Sequence, residues 1–180
     1  MKSLKAQNHY LSQTNYQLNE LDKATRVSFS DKIFDIGLNK ISPNSIDILQ
    51  INLGKMCNQV CKHCHVDAGP DRKEIMTKEV MTKCIEVVSK NAFKTVDLTG
   101  GAPEMNPHFR WFVKELSKHK LHIIVRCNLT IIVANKKYND LPNFFKKHGV
   151  EVVSSLPHFS SGRTNSQRGN SVFEKSIKAL

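Results

Sequence analysis

A chain of 180 residues, 39% hydrophobic and 24% charged, has enough material for one domain with a core of its own. No apolar run is long enough to cross a bilayer, and residues 1–20 lack the apolar stretch of a secretory signal, so a cytoplasmic protein without a membrane partner is expected. The 27 Lys and Arg against 16 Asp and Glu leave a charge of +11, but with one Trp and three Tyr there is no aromatic-studded basic surface; anionic ligands, rather than nucleic acid, are the expected partners of that charge.

Residues 1–45 show no clear periodicity and read as an N-terminal extension, partly disordered, with a short packed piece over 29–38. The pair Ser42-Pro43 punctuates the entry to the main domain, 46–180. A strand is expected over 46–53, then a helix over 77–91 with Thr77 as N-cap and Val80, Met81, Cys84, Val87 and Val88 on its apolar face. A strand over 95–99 precedes a helix over 108–119 that starts at Pro107. A strand over 121–127, a helix over 139–148 ended by Gly149, a strand over 150–156 and a helix over 171–180 continue the rhythm. Strands alternating with helices imply an α/β fold with a parallel sheet and right-handed crossovers. About four βα units are half of an eight-unit barrel, so the N-terminal part of a larger (β/α) barrel is expected, apparently truncated at its C-terminal side; a small open α/β sandwich is the simpler alternative.

Each strand pairs an apolar face with one that turns polar towards its C-terminal end. Leu49, Ile51 and Leu53 oppose Gln50 and Asn52; Val96 and Leu98 oppose Asp97 and Thr99; Val125 and Cys127 oppose Arg126 and Asn128. In a barrel the polar faces meet in the lumen near the mouth, where α/β sites lie. Asp97 and Arg126 are expected to pair there, because an unpaired buried charge is costly.

Cys57, Cys61 and Cys64 follow the first strand at C-x3-C-x2-C, in a polar loop with Asn58, Gln59, Lys62 and His63. Thiolates at this spacing can converge on one soft metal centre, and three sulfurs on a four-iron cluster leave one iron open to a small molecule. Cys61-Lys62-His63-Cys64-His65 is formally a haem-attachment pattern, but that needs export and ignores Cys57. A structural zinc held with His65 would force adjacent ligands onto one tetrahedral ion. Directly after the second strand, Leu98-Thr99-Gly100-Gly101-Ala102-Pro103-Glu104 places two glycines where backbone can approach a ligand closely. Cys84, on a helix face, reads as core, and Cys127, at a strand end, as core with a chance of soft contact to a ligand.

C-x3-C-x2-C after the first strand with a GG loop after the second resembles the radical S-adenosylmethionine (SAM) superfamily. The arsenosugar-biosynthesis radical SAM family is the closer resemblance, through Cys57-Asn58-Gln59, His63-Cys64-His65-Val66-Asp67-Ala68-Gly69-Pro70, Asp97-Leu98-Thr99-Gly100-Gly101-Ala102-Pro103-Glu104, Arg126-Cys127-Asn128-Leu129-Thr130, Ser154-Ser155-Leu156-Pro157 and Gln167-Arg168-Gly169. It implies that Cys57, Cys61 and Cys64 ligate a 4Fe–4S cluster whose fourth iron is chelated by SAM. It places Gly100 and Gly101 against the SAM amino group, Asn128 and Ser154 near its ribose or carboxylate, and Arg168 near the carboxylate or a product group. The implied reaction is reductive cleavage of SAM to a 5′-deoxyadenosyl radical, with electrons from an external donor such as flavodoxin or ferredoxin and a methylated arsenical as the small-molecule substrate. A radical SAM enzyme for another substrate, or a non-catalytic cluster or zinc protein, are the alternatives. The chain departs from the wider superfamily at His63, where an aromatic residue is usual though His fits the closer family; from the closer family at His158-Phe159, where Cys-Tyr is implied; and in the absence of that family's C-terminal half with its cysteine-bearing tail.

Overall fold

The computed structural model describes residues 2–24 and 27–180, which form two compact units. The first, Leu4–Ile46, holds helices α1 (Thr14–Ala24) and α2 (Phe29–Asp35). The Ser28 hydroxyl caps α2 by accepting from the Asp31 amide at 3.1 Å. Helix α1 buries none of its side chains, which is why its sequence carries no apolar stripe to read.

The second unit, Asp47–Leu180 with the segment ending at Ser3, is a run of βα units. In chain order it contains β1 (Ile48–Asn52), α3 (Lys78–Lys90), β2 (Thr95–Thr99), α4 (Phe109–Leu116), β3 (His122–Cys127), α5 (Leu141–Lys147), β4 (Val150–Ser154), α6 (Ser161–Arg168) and α7 (Val172–Ala179). The four strands pair in parallel in the order β1-β2-β3-β4. A doubly wound sheet reverses its direction of growth at an inner strand. Here every strand adds to the same edge, the topology of a barrel arc, and the α/β expectation of four βα units holds.

The core lies between one face of this sheet and the helices. Ile51, Val96, Leu98, Ile123 and Val125 pack with Met81 and Val88 of α3, Phe109 and Phe112 of α4, and Leu141 and Phe145 of α5. Two residues placed on the apolar face of the first long helix are not in the core: Val80 and Val87 are 48% and 43% exposed. At about 100° per residue the buried stripe of α3 runs through Met81, Cys84, Ile85 and Val88, and the two valines flank it.

The opposite face carries the polar residues. Asp97, 4% exposed, accepts from Arg126 Nε and Nη2 at 2.8–3.0 Å and from Gln50 Nε2 at 2.9 Å. The expected Asp97–Arg126 pair is therefore present. Burial works against the Asp97 charge, but these hydrogen bonds and the Arg126 charge outweigh it and hold the carboxyl below its usual range.

Helix α6 departs from the sequence reading, which had no element between 156 and 171. Its sequence is polar throughout, and the residues it buries are Thr164 and Arg168. The Thr164 hydroxyl donates to the His158 carbonyl at 2.7 Å, so the helix is fixed by hydrogen bonds that no hydrophobic periodicity announces.

Candidate functional site

At the C-terminal end of β1 the chain runs into the loop that carries the three cysteines. Both ends of that loop are tied down. Lys55 N donates to Glu74 O at 2.8 Å, Gly69 N to Lys55 O at 3.1 Å, and Cys57 N to Gly69 O at 3.1 Å. Arg72, 6% exposed, staples the return: its guanidinium donates to Asp67 O and Oδ2 at 2.7 and 2.6 Å and to both Glu74 oxygens at 3.1 Å. Between these anchors Cys64 N donates to Cys61 O at 3.1 Å, a turn that brings the second and third thiols to the same side.

The GG turn after β2 packs directly on this loop. Gly101 N donates to Gly54 O at 2.9 Å and Ala102 N to Met56 O at 2.8 Å. Gly100 has φ +137°, a conformation for glycine, and a Cβ on it would lie 2.7 Å from Gly54 O. On Gly101 a Cβ would lie 2.4 Å from Met56 O and 3.0 Å from Cys57 Cβ. The two loops thus touch through backbone, and they fit only because neither glycine has a side chain.

A third wall is polar. The Asn128 amide, beyond the end of β3, donates to Cys57 Sγ at 3.4 Å and to Asn58 Oδ1 at 3.0 Å. The Thr130 hydroxyl donates to Asn128 Oδ1 at 3.0 Å and accepts from Asn58 Nδ2 at 3.0 Å and Gln59 Nε2 at 2.7 Å. Gln59 Oε1 accepts from Arg168 Nη2 at 3.0 Å, and Arg168 Nη1 donates to Ser155 O. Residues separated by up to 109 positions are joined in one network, which seats the cysteine loop on β3 and α6.

These walls enclose a cavity of about 290 Å³ lined by Cys57, Cys61, Cys64, Gly100, Gly101, Arg126, Asn128 and Arg168, with His63, His65 and Cys127 among its other neighbours. Of the residues that the resemblance assigns to the cluster or to SAM it gathers all but one. Ser154 is not on this wall, whereas Val153 and Ser155 are, because successive strand residues alternate between faces. A larger cavity of about 560 Å³ lies on the far side of Gln59 and Arg168, which line both, and it contains no thiol. The sulfur chemistry belongs to the smaller one.

Burial pushes the Cys57 thiol up to about 11, helped by repulsion from Cys61, Cys64 and Glu104 and opposed by a hydrogen bond from the Gln59 amide. The Cys61 thiol is raised by burial, while the adjoining Arg168 guanidinium pulls it down. All five cysteines are free. Among the described residues no three His, Cys, Asp or Glu side chains converge tightly enough for a single ion. All three thiols line the one cavity.

Several participants carry no signal that sequence reasoning picked up. Gln59 and Thr130 are buried polar residues whose partners lie 71 positions apart. Glu104 is 5% exposed and neither carboxyl oxygen has a hydrogen-bond partner. Burial raises its pKa, with the Cys127 thiol and its own backbone amide acting the other way. Its place in the GG motif was the available signal, but nothing in a single sequence marks it as buried. His158, at the position where a cysteine was expected, accepts from the Ser160 amide at 2.9 Å and stacks on Phe159 at 4.2 Å between ring centres, in the turn that starts α6.

The family model described as the radical SAM superfamily matches residues 51–179. A protein of Pyrococcus horikoshii named probable GTP 3',8-cyclase is 26% identical over 133 residues, covering 73% of this chain and 41% of that protein. Its namesake from Pyrococcus abyssi is 24% identical over 133 residues, covering 73% and 42%. Streptococcus suis SuiB matches in structure with a TM-score of 0.55 at 16% identity, over 84% of this chain and 40% of SuiB. The chain thus spans about two-fifths of the length of these relatives.

Proposed function

The chain belongs to the radical SAM superfamily, and from that premise we propose that Cys57, Cys61 and Cys64 hold a 4Fe–4S cluster with SAM beside it, for transfer of an adenosyl group to a methylated arsenical in arsenosugar biosynthesis. The observation that carries the site is the single cavity walled by three free thiols and the close-packed Gly100-Gly101 turn. Three thiols on one cavity suit a cluster, in which each sulfur takes a different iron. The donor set fits: three free, soft sulfurs that a metal must deprotonate, gathered on one cavity.

When bound, the cluster supplies the electron that splits the carbon–sulfur bond of SAM, giving methionine and a 5′-deoxyadenosyl radical. The protein's own residues do the holding and aiming. Gly100 and Gly101, packed against the cysteine loop as no residue with a Cβ could be, present their backbone to the SAM amino group. Asn128 Oδ1 is the acceptor for a ribose hydroxyl, since both of its amide hydrogens are used within the protein. Just past the end of β4 we place the SAM contact at Ser155 in preference to Ser154. Arg168 offers its charge to a carboxylate between the two cavities. Cys127, a thiol on the same cavity, supports a soft substrate such as a trivalent arsenical. An external donor of the flavodoxin or ferredoxin kind provides the electron.

The test is anaerobic reconstitution, with iron and sulfide counted per chain, followed by SAM and a reductant. Four irons per chain and release of 5′-deoxyadenosine are expected, and Cys→Ala at 57, 61 or 64 abolishes both. Dimethylarsenite should then yield an adenosylated arsenical. Zinc in place of iron would sink the cluster reading, and SAM cleavage without arsenical product would sink the substrate. A second reading, a purine nucleotide substrate, is favoured by the names of the two Pyrococcus relatives; GTP in place of the arsenical decides it.

A further inference from the structure

Each of the three thiols faces an N–H donor of different origin. Cys64 Sγ accepts from the Ala68 amide at 3.3 Å. Cys61 lies against the Arg168 guanidinium. Cys57, the buried one of the three, accepts from the side chain of Asn128 at 3.4 Å.

The Asn128 amide cannot turn. Thr130, 3% exposed, receives hydrogen bonds from Asn58 and Gln59 and so has one hydrogen left, which goes to Asn128 Oδ1. With the oxygen fixed there, the amino group must point at Cys57 Sγ and Asn58 Oδ1. Asn128 is itself 7% exposed, so water does not compete for its hydrogens. A donor built this rigidly against a sulfur does more than hold a loop. An N–H aimed at a thiolate favours the state with more negative charge on the sulfur, and in an iron–sulfur site that is the reduced state.

We propose that Asn128 is a positioning residue that raises the reduction potential of a cluster held by the three cysteines, through its clamped hydrogen bond to Cys57. This rests on the cluster reading of the site. It makes the cluster easier to reduce for a protein-borne electron donor, whatever the substrate turns out to be.

The full chain, Asn128→Ala and Asn128→Asp are reconstituted anaerobically, iron and sulfide are counted, and the midpoint potential is measured by redox titration followed by electron paramagnetic resonance. All three are expected to load equally. At the parent's midpoint the reduced-to-oxidised ratio falls about tenfold in Asn128→Ala, which for one electron is a shift of about 59 mV to more negative potential. Asn128→Asp shifts further, because a carboxylate beside the sulfur adds like charge. A loaded Asn128→Ala with the parent's midpoint overturns the inference. If circular dichroism shows that Asn128→Ala does not fold, the isosteric Asn128→Asp is read by the same criterion. Failure of both variants to load a cluster that the parent takes up also overturns it, since Asn128 then holds the loop without tuning it. A parent that takes up no iron and sulfide refutes the cluster reading itself, a result distinct from an unchanged midpoint.

Discussion

Glu104 is a carboxyl placed where a carboxylate is not wanted: buried, with both oxygens unpartnered, beside the Cys127 thiol. Its acidity is weakened in the fold, so the unfolded chain releases the proton first, and stability falls as pH rises above the ordinary glutamate value of about 4.3. Glu104→Met should stabilise the protein at pH 7 by on the order of 1–3 kcal/mol, with the gain shrinking towards pH 4, as thermal melts at both pH values would show. Asp97 has the opposite sign. Its carboxyl is held low by Arg126 and Gln50, so its stabilisation is present above the unfolded value of about 3.9 and lost as pH falls through the folded one. The two partners are not equivalent, since Asp97 is 5% exposed at the side chain and Arg126 is 51% exposed. Arg126→Met strands a buried charge and should cost about 2–4 kcal/mol, less than a fully buried pair. Asp97→Asn leaves the arginine in water and should cost about 1–2 kcal/mol by urea unfolding, with the difference narrowing in acid. The pairing of these residues was legible from strand alternation; the burial of Glu104 was not, because a 3-10 turn has no such two-residue period.

At the scale of elements, the strands and the loops at their ends were readable because hydrophobic alternation and glycine placement are local properties. The contact between the cysteine loop and the GG turn was not, as it depends on β1 and β2 pairing in register from Ile48↔Thr95 to Asn52↔Thr99. That register brings Gly101 against Met56 O, and it makes the turn intolerant of one methyl group. Gly101→Ala forces the backbone of one loop to move and should cost about 1–3 kcal/mol while lowering cluster uptake. Gly149→Ala is the matched control: its φ of +63° strains an alanine, but nothing lies within 4 Å of a new Cβ, so uptake should stay at the parent level. Iron content of the two variants after identical reconstitution checks both. Helix α6 lacks any such local pattern, since its order comes from Thr164 bonding the nearby His158 carbonyl and from Arg168 reaching Gln59, 109 positions away.

For the whole molecule, the division near residue 46 was expected from the break in periodicity, and we propose that the βα unit holds its fold without the segment before it. A chain beginning at Asp47 should melt cooperatively and keep its iron uptake, at the cost of contacts that include the hydrogen bonds between Ser3 and Asp71; a non-cooperative melt would count against the boundary. Among the described residues no helix is long and apolar enough to cross a membrane. The amino-acid sequence by itself determined the alternation of strands and helices, the placing of three thiols and two glycines at strand ends, and the pairing of Asp97 with Arg126. Each of these follows from short-range periodicity and residue chemistry. Only the tertiary structure decided which polar groups would meet: that Asn128 turns its amide to Cys57, that Gln59 and Arg168 divide two cavities, and that Ser155 rather than Ser154 lines the one with the thiols. Those outcomes depend on strand register and on hydrogen bonds between residues as much as 109 positions apart, which only the completed packing brings within reach.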